Sequence, residues 1–310
     1  MNGKIKGYAL GAIAAATYGM NPLFALPLYA DGMSPASVLF FRYLLAIPVL
    51  GAMVAWRRQR FGVTLSQGAS LAAMGLVFAL SSLLLFMSYN YMSAGIASTL
   101  LFVYPIMVAV IMMCVYGERL TLSTTLCILM ALSGIALLYK GDGHTTLSLA
   151  GTAMVFGSSL SYAVYLVYIS RSQLDRMPTM KVTFYVLAFG WLLFPGVALT
   201  EGGIDTPSQP WLWADLFGLA VFPTAISLLC TTRAIHYIGS TPTAILGALE
   251  PVTAVIIGIL VFGERLTTRD CLGILLIILA VSLVVAGSAS APLLLRIRKL
   301  FPRRPRKARV

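Results

Sequence analysis

Glu250 has more chemistry to offer than any other residue in this chain. It lies deep inside the apolar stretch Gly239–Ala286, which reads GSTPTAILGALEPVTAVIIGILVFGERLTTRDCLGILLIILAVSLVVA. A carboxyl midway along such a segment costs several kcal/mol unless it is neutral, paired or hydrated. Two roles meet that requirement. One is a protonated acid hydrogen-bonded between helices as structural glue. The other is a cavity-facing group that binds a cationic or amino part of a solute, or exchanges protons. The second is favoured, because ionisable groups inside a membrane default to function.

Further polar groups recur inside other apolar runs. Asn21 and Tyr18 lie in the first run, and Tyr89 and Asn90 close the third. Tyr162 and Tyr165 are three residues apart, so on a helix they share one face. Their depth is midway along the run, which argues against an interfacial belt and leaves solute binding and core packing as alternatives. Tyr168, Tyr116 and Tyr237 lie near run ends and fit that belt. Ser98, Ser227, Thr231 and Thr243 are weaker candidates, since small hydroxyl residues commonly mediate close helix contacts. Arg42, Asp215 and Arg233 fall near run ends, where long side chains are expected to reach the interface. Pro251 directly follows Glu250, and Pro105 and Pro22 interrupt other runs. Each removes a backbone donor and allows either a hinge or a static kink.

The elements that must position these groups are membrane helices. The chain is 59% hydrophobic and 10% charged, against roughly 45–50% and about 25% in soluble domains. Ten apolar runs, at about 6–29, 35–56, 69–90, 95–116, 121–139, 149–170, 182–200, 212–233, 240–262 and 267–287, are each long enough to cross a core of about 30 Å. The runs are continuous rather than alternating, so helices are expected and a barrel is not. The first run is followed by many similar ones and lacks a small-residue cleavage pattern, so it reads as a span and not a cleaved signal.

Lys and Arg placement sets the expected orientation. Lys4, Lys6, Arg57, Arg58, Arg60, Arg119, Arg171, Arg176, Lys181, Arg233 and the tail fall on one side. Arg42, Lys140, Arg265 and Arg269 fall on the other, so both termini are expected in the cytoplasm. The formal net charge of +12 is concentrated in the tail, from Arg296 to Arg309. That tail reads as a topology determinant lying on anionic headgroups, not as a nucleic-acid-binding element.

The chain is also duplicated. Ser93–Tyr139 resembles Gly239–Ala286, both carry Gly-Glu-Arg-Leu-Thr (Gly117–Thr121 and Gly263–Thr267), and Pro105 and Pro251 stand equally far before it. Tyr104 occupies the place that Glu250 takes in the second copy. Gly7 aligns with Gly151 and Tyr18 with Tyr162. The repeat unit is five spans, an odd number, so the two copies must insert opposite ways up. The expected fold is all-α and integral to the membrane, with ten transmembrane helices in two inverted five-helix repeats. The expected division is residues 1–143, 144–290 and a basic cytoplasmic tail at 291–310. Inverted repeats around a midplane site are a transporter signature.

Other chemistries lack their residues. There is no Gly-x-x-x-x-Gly-Lys-Ser/Thr loop for nucleotide hydrolysis. His144 and His236 are far apart, the four cysteines show no paired spacing, and neither a metal nor a cofactor is expected. No cluster of reactive groups near one surface supports a membrane enzyme. Gly7-x-x-x-Gly11 fits a close helix crossing.

The paired halves, their Gly-Glu-Arg-Leu-Thr turns, Leu249-Glu250-Pro251 and Phe41-Arg42-Tyr43 together resemble the EamA family of the drug/metabolite transporter superfamily over residues 6–287. The resemblance implies a carrier of small organic solutes such as amino acids or metabolites, usually an exporter, in the inner or plasma membrane. It implies a cavity lined by spans one, three, four, six, eight and nine, with solute near Glu250, Tyr104 and Tyr162. Broad drug efflux is the alternative within transport, and an integral-membrane enzyme is the alternative outside it. Substrate identity and direction are left open, as is proton coupling through Glu250.

Overall fold

A computed structural model describes residues 3–117, 122–139, 148–238, 243 and 246–283. Glu118–Thr121 of the first Gly-Glu-Arg-Leu-Thr copy, Lys140, His144 and the basic tail lie outside the described residues. Among the described residues, seven helical segments are long and apolar enough to cross a membrane: 3–30, 35–56, 65–88, 94–116, 149–171, 179–200 and 212–238. Three shorter helices, Leu122–Tyr139, Leu249–Phe262 and 268–283, supply the other spans. The ends match the hydropathy runs closely. Span three starts earlier, at Leu65, because Thr64 and Gln67 form a reciprocal capping box that satisfies its first amides.

Several spans are broken, and proline stands at each break. Span one is α1 (Gly3–Gly19) and α2 (Asn21–Ala30), the latter with Pro22 in its first turn. Spans two and three are the continuous α3 (Pro35–Trp56) and α4 (Leu65–Ser88). Span four is α5 (Ala94–Leu101) and α6 (Tyr104–Tyr116), with Pro105 opening α6. Then come α7 (Leu122–Tyr139) and α8 (Leu149–Arg171). Span seven is α9 (Thr179–Gly190) and α10 (Leu193–Thr200). Span eight joins α11 (Leu212–Ala220) to α12 (Ser227–Ile238) through a wide turn, Val221–Ile226, that contains Pro223. Span nine resumes as α13 (Leu249–Phe262), and α14 covers 268–283. Proline is tolerated in the first turn of a helix, where its missing N–H would be unpaired anyway. The expected mid-helix kinks at Pro22, Pro105 and Pro251 are therefore starts of new half-helices.

The helix contacts obey a two-fold exchange of halves. Span one packs on span eight (α1 with α12), as span six packs on span three (α8 with α4). Span three packs on span seven (α4 with α9), as span eight packs on span two (α11 with α3). Spans four and nine pack on each other, α5 against α13. A Cβ on Gly7 would strike Tyr237 and Ile238 at the end of span eight, and one on Gly151 would strike Tyr91 and Met92 at the end of span three. The Gly7-x-x-x-Gly11 crossing is thus internal, against α12 and Leu246.

Both copies of the glycine before Glu-Arg-Leu end their helix in the left-handed region, Gly117 at φ 66° and Gly263 at φ 67°. A side chain there is strained, which explains why this position is glycine in each repeat. Along α14, Leu272, Leu275, Leu279 and Leu283 are exposed while Ile274, Ile277, Ala280 and Val281 are buried. An apolar outer face on a helix that also buries an apolar inner face is what a lipid surround requires.

Candidate functional site

The breaks in spans one, four and nine bring the sequence-selected polar groups together. Glu250 lies in the first turn of α13, where the helix dipole favours a carboxylate. Tyr104 is the first residue of α6, so the two repeat mates open equivalent half-helices. Tyr104 meets Tyr162 edge to face, with ring centroids 4.7 Å apart. Tyr18, at the end of α1, is within electrostatic reach of both Glu250 and Arg42. Gly19 makes this possible, since a Cβ there would run into the Glu250 backbone carbonyl. The Glu250 carboxyl is half-buried and has no hydrogen-bond or ion-pair partner among the described residues.

Other expected residues surround this centre at different ranges. Asn21 is buried, donates from Nδ2 to the Tyr18 carbonyl at 2.8 Å, and leaves Oδ1 without a partner. Tyr165 stacks on Tyr162 at 6.0 Å but packs with Phe78 into a separate apolar cluster around Leu71, Val182 and Val186. It thus contacts two residues of the cavity lining, Tyr162 and Phe78, from the side of that cluster. Tyr89 is buried against Phe86, and its hydroxyl has no hydrogen-bond partner among the described residues. Thr243 is buried on the approach to α13. Ser227 donates to the Ala14 carbonyl at 2.9 Å and joins spans eight and one.

Arg42 was expected to reach the interface, and it does not. It is the eighth residue of α3, about 10 Å along the helix, and is only 7% exposed. It lines a small cavity with Tyr18, Tyr162, Ser81, Ser82 and Phe86. Its guanidinium lies over the Phe86 ring at 5.4 Å, and Nε donates to Thr224 Oγ1 at 3.3 Å. The position near a run end hid this role. The ring that holds the guanidinium inward, Phe86, lies in span three, 44 residues along the chain, so nothing beside Arg42 in the sequence marks it. Ser81, Ser82, Phe78 and Phe86 were also missed, because nothing in an apolar run marks which face meets a cavity.

Cross-repeat hydrogen bonds tie the bundle at both ends. At one end, Asp205 accepts from Ser34 N–H at 2.9 Å and from Ser37 Oγ at 3.2 Å, capping α3. Asp31 accepts from Ser208 N–H at 2.8 Å and from the Ser208 hydroxyl. Glu264 folds back over Gly258 and accepts from Ala94 N–H at 3.1 Å, capping α5. The Ser208 hydroxyl holds the Asp31 carboxyl below its usual range, and the Ser34 amide does the same for Asp205. At the other end, Lys181 Nζ donates to the Gly62 carbonyl at 2.6 Å and Tyr185 to that of Phe61 at 2.5 Å.

An all-helical membrane bundle, with symmetry-related broken spans around an unpaired acid, defines the transporter class of inverted-repeat proteins. The chain matches the EamA-like transporter family over residues 5–140 and 149–286, one match per half, and it belongs to that family. An uncharacterized transporter of Archaeoglobus fulgidus is 29% identical over 58% of this chain and 62% of its own length. The uncharacterized transporter YcbK of Bacillus subtilis is 27% identical, over 79% of this chain and 81% of its own. The threonine/homoserine exporter RhtA of Salmonella typhimurium is 26% identical, over 74% and 70%. The match spans under two thirds of the Archaeoglobus relative and 64% of a Synechocystis one. A protein of known crystal structure shares the fold with a TM-score of 0.63 at 16% identity, covering 93% of this chain and 98% of its own.

Proposed function

We propose that this chain is a secondary carrier that exports small organic solutes, amino acids or related metabolites, across the inner or plasma membrane by alternating access. The observation that carries the reading is the unpaired Glu250 carboxyl at the start of α13, beside Tyr18, Tyr104 and Tyr162. An unpaired acid among phenols suits the amino group of a solute, with proton exchange as its second use. The relative RhtA is named a threonine/homoserine exporter, which supports trying hydroxy amino acids first. The chain works as a transporter and not as an enzyme in this reading.

The mechanism follows from the breaks and the ties. Half-helices that open at Pro22, Pro105 and Pro251 let one half rock against the other without rupturing a continuous backbone ladder. The carboxylate ties at one end and the Lys181 and Tyr185 ties at the other would open alternately. The repeats are assigned to residues 1–143 and 144–290. Both termini face the cytoplasm, and the basic segment 291–310 rests on anionic headgroups.

Vesicles reconstituted with the full chain test this. Efflux of labelled L-threonine, L-homoserine, nucleosides and cationic drugs would be followed with and without a pH gradient. Saturable movement of at least one amino acid that Glu250→Gln abolishes is the expected result. Movement of drugs alone would replace the reading with broad efflux, which the aromatic lining of Tyr18, Phe78, Phe86 and Tyr162 also accommodates. No movement of any solute would end it.

A further inference from the structure

Arg42 is a buried cation with almost all of its donors unspent. Only Nε is used, on Thr224, and the four N–H groups of the terminal amino nitrogens have no acceptor among the described residues. Thr224 is itself committed, donating to the Leu219 carbonyl at 3.0 Å. No carboxylate pairs with Arg42 among the described residues. The Phe86 face offsets part of its desolvation. A buried charge with no counter-ion is otherwise expensive. Among the described residues, Arg42 lines a cavity together with Tyr18 and Tyr162. The hydroxyls beside it are occupied: Ser81 bonds Ser158, and Ser82 bonds Tyr43 and the Phe78 carbonyl.

We infer that Arg42 is the carboxylate receptor of the central site, selecting solutes that carry a carboxylate together with an amino group. A guanidinium fork matches a carboxylate bidentately, which a single hydroxyl or ring cannot do. Arg42 and Tyr18 line the same cavity, and Tyr18 lies within electrostatic reach of both Arg42 and Glu250, so a solute beside Tyr18 meets the fields of a fixed cation and a fixed acid. A zwitterion satisfies both at once. A simple amine leaves Arg42 unpaired, and a dianion is repelled by Glu250. The inference rests on the carrier reading above and adds which part of the solute is recognised, and by what.

The test uses the full chain in phosphatidylethanolamine/phosphatidylglycerol vesicles. Competition against uptake of any solute the vesicle screen returns, drugs included, is measured for the common L-amino acids, their carboxamides and their decarboxylated amines. Wild type is expected to prefer each acid over its amide by about 10–100-fold, the scale of a buried charged hydrogen bond. Arg42→Met is expected to bring that ratio close to one, and Arg42→Lys to restore part of it. If amides or amines compete as well as acids in wild type, the inference fails while the carrier reading stands. It also fails if Arg42→Met weakens acids and amides equally, which is what a purely structural arginine would do. The wild-type comparison decides even if Arg42→Met does not fold. If no solute is carried by wild type, the carrier reading fails first and the inference with it.

Discussion

The two halves share a backbone plan but not their charges. An offset of 144 residues carries Gly7 onto Gly151, Tyr18 onto Tyr162, and α3 at 35–56 onto span seven at 179–200. The same offset puts Val186 in the place of Arg42, and Val186 is buried in a separate apolar cluster. In the later spans, Tyr104 takes the place of Glu250. The first half thus supplies the buried cation and the second the acid. Symmetric helix breaks provide two equivalent packings, which is a property of the backbone. The asymmetric charges distinguish the two halves, and in the proposed carrier they would give a bound solute one preferred orientation, which is a property of side chains.

The largest effect expected from breaking this comparison is at Glu250. Glu250→Gln should lower amino-acid counterflow by about 100-fold or more, the upper range for losing a buried charged partner. Its thermal unfolding should stay near wild type, since no described residue depends on that carboxyl. Moving the acid to its mate sharpens the point. A Glu250→Tyr, Tyr104→Glu double variant should stay at background counterflow if orientation relative to Arg42 matters. Restored transport would show that the halves are interchangeable.

Smaller effects concern the scaffold. Gly19→Val should destabilise by about 1–3 kcal/mol, the cost of overpacking, because the new side chain meets the Glu250 carbonyl. Gly196→Ala, where a Cβ meets nothing within 4 Å, is the matched control in a detergent melt. Pro251→Ala should slow exchange several-fold with solute affinity within about two-fold, because a first-turn proline contributes backbone stiffness and little binding. An equal loss of affinity would make Pro251 structural.

The smallest effect is at the polar ties. The Asp205 and Asp31 carboxyls are held below their usual range, so they favour the folded state above the ordinary carboxylate pKa of about 4. That contribution disappears as pH falls through their lowered values. Asp205→Asn should therefore lower the melting temperature by only about 1–2 °C at neutral pH, the scale of an exposed charged contact. The difference from wild type should vanish in strong acid.

Apolar length, the odd repeat unit and the copied Gly-Glu-Arg-Leu-Thr turns were enough to reach ten helices in two halves, because each follows from the bilayer and from duplication. Glu250, Tyr18, Tyr104 and Tyr162 were legible for the same reason: polar groups deep in apolar runs must face something other than lipid. Position along a run measures depth but says nothing of the face a side chain takes. Arg42 was therefore assigned to the interface although α3 turns it inward over Phe86. The prolines could be seen, but whether they kink a helix or begin a new one depends on which neighbours take up the freed carbonyls. Chain chemistry alone determined a multi-helix membrane protein with an acid deep in one apolar run. Tertiary packing alone decided that Arg42 is buried beside Tyr18, because the crossing of spans one, two, three and six brings Arg42, Tyr18, Ser81 and Tyr162 to one cavity, with Thr224 of span eight accepting from Arg42.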